Sequence, residues 1–287
     1  MSKFKKSILT LFRISFTEFR RWIRNSRLII LGAMLVFIHM LIITPLKECA
    51  SLMGEPVSAF EAFAALGNSS MTVLIIPVLF LVLMADFPQK DGIDFFYQIR
   101  CSKRTWICGQ MIFVLETIIF LVMFLAVSSC LMLIGSSTWS GNFSHAVTHF
   151  AVAFPENKGS YLQQLIPENL YHHMTLNTAI IHTFFLMTLY FLILAFILLL
   201  SALCNSKYGG IIADSLLIIS GAVSCAGRMK VMWLFPMAHT ISWLHFEEYL
   251  KEEIVPIKVS YCYLIGCCVF LFICCMTASQ KYQAGKI

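Results

Sequence analysis

Very little of this sequence carries charge. Asp, Glu, Lys and Arg make up 13% of its 287 residues, about half the share found in soluble domains. Apolar residues reach 59%, and mean hydropathy is +0.81. Too few polar residues remain to cover a core of that size, which excludes a water-soluble globule and puts lipid in place of the polar coat. No Cys-x-x-Cys pair occurs among the eleven cysteines, so zinc-ribbon and dithiol redox readings have no support. No G-x-x-x-x-G-K-[ST] occurs, so the chain has no phosphate-binding loop of that type. There is no internal repeat and no low-complexity tract. No small-x-small cleavage site follows the apolar run at 28–45, and the basic start is read as uncleaved.

What is present is a series of apolar runs. Six approach the ~20 residues that a helix needs to cross the hydrocarbon core: Leu28 to Leu46, Ser69 to Ala85, Trp106 to Ile134, Thr178 to Cys204, Gly210 to Ala226 and Val259 to Ala278. The second and fifth are short, and Pro77 interrupts the second, so either could be a broken or tilted segment. The expected fold is an all-α integral membrane protein with six transmembrane helices behind an N-terminal amphipathic interfacial helix. That divides the chain into a connecting helix at 1–27, a membrane domain at 28–278 and a tail at 279–287. An insert at 135–177 and a segment at 227–258 lie on the face opposite the termini. Fifteen of the 21 Lys and Arg fall at 1–27, 86–105, 205–209 and 279–287, which marks that face, with both termini, as cytoplasmic in a multi-pass plasma-membrane protein. The +6 net charge therefore points to anionic lipid and not to nucleic acid. Cys130, Cys204, Cys267, Cys268, Cys274 and Cys275 lie in apolar runs and serve as small hydrophobes. Cys49 and Cys225 fall near one face, which leaves a bridge between them open.

Residues 4–23 repeat apolar side chains at helical spacing, with cations opposite. Phe12, Phe19 and Trp22 would dip into lipid while Arg13, Arg20, Arg21 and Arg24 meet phosphates. A second basic and aromatic island, "DFFYQIRCSKRTWICGQ", separates the second and third runs. Asp94 would cap a short helix there, within about 90–105. Such a helix either anchors orientation or docks a cytoplasmic partner through its rings and cations. Glu116 and Asp214 are acids inside apolar runs, where each costs about 2.5–3.5 kcal/mol at mid-membrane. Glu116, nearer the middle, is either a translocation-path residue or a structural acid. Asp214, close to the cytoplasmic end, is read as interfacial. His145, His149, His172 and His173 in the 135–177 insert lack the acid or cysteine company of a zinc site and are read as solvated.

The layout resembles the permease subunit of an ABC transporter of the type-2 exporter class. The likeness rests on "FRISFTEFRRWIRN" leading into the first run, on "IRCSKRTWICGQ" between the second and third, and on six spans with cytoplasmic ends. It covers nearly the whole chain, although the long 135–177 insert departs from compact members. It implies a coupling helix in which Phe95, Phe96, Tyr97, Arg100, Lys103 and Arg104 face a separate ATP-binding cassette subunit. It implies a homodimer or a heterodimer with a second permease. No cofactor would be bound by this chain, and ATP and magnesium would sit on the partner ATPase. Catalysis is not expected of the chain itself. The Phe- and Met-rich spans lean towards an amphipathic or hydrophobic cargo, such as an antimicrobial peptide or drug.

Two other readings stay open. "FPMAH" and "HFEEYLK" resemble motifs of intramembrane prenyl-protein proteases, but in reversed order and with Lys251 where an arginine is expected. That enzyme would place its site near His239, His245, Glu247 and Glu248. A non-transporting immunity or sensor protein would instead bind peptide at 135–177.

Overall fold

The computed structural model describes residues 3–89, 97, 100–157, 161–206, 208–247 and 253–281, without the side chains of 3–8, 162 and 281. It is about 81% helical with almost no strand, consistent with an all-α membrane protein. Five segments are long and apolar enough to cross a bilayer: Ser26–Met53, Lys103–Met132, Leu176–Leu203, Gly209–Ala226 and Ile257–Gln280. A sixth is added if a bent pair of helices counts as one span.

Helix α1 (Lys3–Ile23) ends in a short turn, and the chain continues through α2 (Ile29–Ile38), a π-helical turn at His39–Ile43 and α3 (Thr44–Met53) as one apolar rod. Pro45 causes the π-helical turn. It has no N–H to offer the Leu41 carbonyl four residues back. The Tyr161 hydroxyl donates to that carbonyl instead, at 2.9 Å. Helices α4 (Glu61–Asn68) and α5 (Ser70–Met84) form the bent pair, at 80° to each other. The sequence places this break at Pro77, but Pro77 lies inside α5, and the chain turns at Asn68–Ser69.

Helix α6 (Lys103–Met132) starts where the Ser102 hydroxyl accepts from Thr105 N at 3.2 Å. It leads to the insert, which folds as α7 (His145–Ala153), α8 (Tyr161–Leu165) and α9 (Glu168–His173). Then come α10 (Leu176–Leu203), α11 (Gly209–Ala226), the short α12 (Pro236–Thr240) and α13 (Ile257–Lys281). Helices α10 and α13 run parallel in a heptad-spaced register. His182 meets Tyr261, the Cys268 thiol meets the Leu189 carbonyl and the Cys275 thiol meets the Phe196 carbonyl, each pair 79 residues apart and seven residues on from the last. All cysteines among the described residues are free, including Cys49 and Cys225.

Contacts sort the loops to two ends. At one end Lys103 Nζ donates to the Gln280 carbonyl, and Arg27 reaches Asp86 at 2.6 Å and the Val82 carbonyl at 3.1 Å. At the other, strands β1 (Val57–Ser58) and β2 (Ser137–Thr138) pair in parallel. There Glu61, fully buried, accepts from Ser58 N, Ser144 N and the Ser144 hydroxyl at 2.5–3.0 Å.

Asn68 joins three parts of that second end. Its amide nitrogen donates to the Ala64 carbonyl at 2.8 Å and to Thr183 Oγ1 at 3.3 Å, its side-chain oxygen accepts from Ser242 N at 2.9 Å, and its carbonyl accepts from Trp243 Nε1 at 2.9 Å. At Gly67 a Cβ would collide with the Thr183 side chain, so only glycine lets α4 lie this close to α10. Asn68→Ala strands the Ser242 N–H in a buried site and is expected to cost about 2–3 kcal/mol. Asn68→Asp keeps the acceptor and should cost less. Thermal unfolding of the detergent-solubilised protein orders the two variants, and an unchanged midpoint for Asn68→Ala would refute the role given to this amide.

Candidate functional site

The sequence-predicted residues divide between one end of the bundle and its interior. At the end carrying Lys103 and Gln280, α1 packs along the first half of α6. Ile14 sits over Gly109, where a Cβ would come within 2.8 Å of it. Ser15 Oγ donates to Glu116 Oε2 at 2.5 Å, and the rings of Phe19 and Trp22 meet Phe120 edge-on at 5.9 Å. Ile14, Ser15, Glu18 and Trp22 are buried, whereas Phe12, Phe16 and Ile23 are exposed. Trp22 and Phe19 therefore pack against protein, and the strip through Phe12 and Phe16 is the exposed part of α1. Arg13, Arg20 and Arg24 are exposed. Arg21 donates to buried Glu18 at 3.1 Å and lies partly inside the packing.

Of the loop residues, Phe95 and Phe96 lie outside the described residues. The Tyr97 hydroxyl donates to Thr17 Oγ1 on α1 at 3.2 Å. Arg100 is exposed, and Lys103 and Arg104 are exposed on the first turn of α6. Glu116 stands beside α1 and the Phe19–Trp22–Phe120 rings. Its hydroxyl partner and ring neighbours set it between two helices.

Asp214 is packed inside the bundle. It is fully buried, and neither carboxylate oxygen has a hydrogen-bond partner. The cause is the face it occupies. Gly210, Asp214, Ile218 and Gly221 form the buried stripe of α11, while Ile212, Leu216, Ile219 and Val223 on the other side are exposed. Position along the chain pointed to the membrane edge, whereas the glycine stripe at helical spacing was the signal for burial. Tyr190 on α10 is also buried and its hydroxyl has no partner. Tyr190 lines a cavity of about 20 Å³ with Thr72, Pro77, Thr183 and Thr240, room for about one water. Reading the sequence missed Asn68, Glu61 and Tyr190, since none stands in a recognisable motif.

The outer histidines form a closed network. His239 Nε2 faces the Trp233 carbonyl at 2.8 Å, so that nitrogen carries the proton and Nδ1 accepts from Ser260 Oγ at 2.7 Å. His245 Nδ1 faces the Val255 carbonyl at 2.8 Å, and its Nε2 lies 3.4 Å from Ser260 Oγ. Ser260 is fully buried, so this Ser–His pairing offers no nucleophile to a substrate. Glu247 is exposed, and Glu248 lies outside the described residues. His145 and His149 are exposed, as expected, and His145 stacks on His149 at 3.8 Å and reaches Glu55 at 2.9 Å. Among the described residues no group of three His, Cys, Asp or Glu could hold a metal ion.

No protein-family model matches the chain, and no curated protein or solved structure matches it either.

Two predictions follow from these settings. Asp214→Leu removes an unpartnered buried carboxyl and should leave the thermal midpoint unchanged or raise it. A loss of more than about 2 kcal/mol would instead make Asp214 a structural residue. Burial lowers the pKa of both His239 and His245, opposed for His239 by the Trp233 carbonyl and for His245 chiefly by the Val255 carbonyl, with Glu253 adding to the opposition. The unfolded chain binds these protons more readily, near the ordinary imidazole value of 6.5. Stability should therefore be full above that pH and fall as pH drops below it. Unfolding midpoints at pH 7.5 and pH 5.5 measure this, and His245→Gln should flatten the difference.

Proposed function

We propose that this chain is the membrane-spanning subunit of an ATP-driven exporter of the type-2 ABC class. It would be powered by a separate cytoplasmic ATPase and paired with a second permease subunit, identical or related. The observation that carries this reading is the linkage at one end of the bundle. Through Tyr97–Thr17, the Ser102 cap and Ser15–Glu116, Tyr97, the N-terminal helix and the first half of α6 are linked to one another. Exposed Arg100, Lys103 and Arg104 lie at that end beside Arg13, Arg20 and Arg24. A partner that grips the loop moves α1 and α6 together, and their rod-like helices carry the movement through the bilayer. Asp214 and Tyr190, polar and unpartnered inside the bundle, are the residues placed to meet cargo or water when helices part. Phe12 and Phe16, exposed on α1, hold that helix against lipid. The cargo class that suits the apolar walls is amphipathic or hydrophobic.

The chain is purified from its native host's membrane beside Arg100→Glu/Arg104→Glu. The wild type should bring down an ATPase. The variant should lose it about tenfold or more, since reversed charges repel where cations had attracted. Both side chains are exposed, so the variant's thermal midpoint should match the wild type. Absence of any ATPase, or its full retention by the variant, defeats the reading.

A further inference from the structure

Among the described residues, a cleft of about 760 Å³ is lined by Arg228, Lys230 and Glu247 at its charged positions and by Met232, Trp233 and Phe246 among its apolar ones. That size and mix suit a small-molecule site. We propose that this cleft binds an anionic glycerophospholipid from the surrounding leaflet, with its phosphate on Arg228 and Lys230, a headgroup hydroxyl on Glu247 and an acyl chain along the apolar floor.

Three observations converge on that ligand. The first is the backbone at Arg228. Helix α11 closes with Gly227 N donating to the Val223 carbonyl and Met229 N to the Ser224 carbonyl. The residue in the left-handed region is Arg228, at φ 45°. Helix ends ordinarily give that place to glycine, yet here Gly227 stands one residue early and the arginine bears the strain. The strained backbone points its guanidinium over the Trp243 ring, 5.8 Å from the centroid. A costly conformation that aims a cation at a cleft fits a binding role better than a packing role.

The second is the apolar rim. Arg228 and Lys230 line the cleft, and apolar Met229, Val231, Leu234 and Ile254 are exposed around it. These apolar side chains stand just past the end of a span, where they meet lipid and not water. The rim therefore lies at headgroup depth. The third is charge. Two cations and one carboxylate suit a monoanionic phosphate that carries a hydroxyl donor. The inference does not depend on whether an ATPase drives the bundle.

The test uses the delipidated full chain in detergent, probed by native mass spectrometry with phosphatidylglycerol, phosphatidylcholine and sn-glycerol 1-phosphate. Phosphatidylglycerol should be retained best. Arg228→Gly should bind it about tenfold more weakly, as expected for loss of a charge-assisted contact. Its unfolding midpoint should be unchanged or higher, because glycine suits the left-handed backbone. Lys230→Gln should shift affinity the same way without touching the strained position. Equal binding of phosphatidylcholine would overturn the charge assignment. Equal binding of the free glycerol phosphate would make the ligand a soluble phosphoester and overturn the lipid. Undiminished binding by both variants would remove the site.

Discussion

Asn68 stands where an apolar helix turns by 80° in a region with little water to satisfy its backbone. A break of that kind leaves carbonyls and N–H groups exposed to an apolar surround, and each must find a partner. One amide side chain and its own carbonyl meet most of that demand, reaching Ala64, Thr183, Ser242 and Trp243 at once. The partners belong to α4, α10 and the segment after α11, so a local requirement at one peptide fixes the relative position of three distant stretches. Gly67, pressed against Thr183, makes that approach close enough for the bonds to form.

The rest of this end repeats the solution with other side chains. Glu61 gathers the N–H groups of Ser58 and Ser144, Asn169 donates to the Phe246 carbonyl, and the two histidines enclose Ser260. The opposite end is built differently. Its contacts are rings, as in Phe19–Trp22–Phe120, with a few polar pairs such as Ser15–Glu116 and Arg27–Asp86. Ring packing tolerates sliding, whereas a multidentate amide in a dry site does not. The polar end is the natural pivot, and the aromatic end the natural place for displacement.

Much of this was legible in the sequence, for reasons of length and composition. Runs such as Thr178 to Cys204 and Val259 to Ala278 appear as long helices within a few residues, because apolar length is a local property. The Pro77 interruption was visible, but the sharp bend falls nine residues earlier, at Asn68. Pro77 removes one donor, whereas the turn at Asn68 rests on side-chain bonds to residues more than 100 positions away. Which face of α1 meets protein was equally hidden. Its periodicity is clear, but Trp22 is buried only because Phe120 and Ser15's partner Glu116 lie beside that strip. The burial of Asp214 was hidden for the same reason: it depends on the neighbours of the Gly210–Gly221 stripe and not on distance from the helix end.

Asp214 also sets a constraint on how this bundle is held. Close packing of α11 rests on Gly210, Ile218 and Gly221, which let it approach its neighbours, and the carboxyl between them adds no bond to that seam. A buried acid without a partner subtracts from stability. Tyr190 on the neighbouring α10 also has an unused hydroxyl. Two unsatisfied groups on adjacent helices are an unfavourable arrangement that a small separation of α10 and α11, admitting water or a polar cargo group, would relieve. The observed packing is thus poised against its own polar interior.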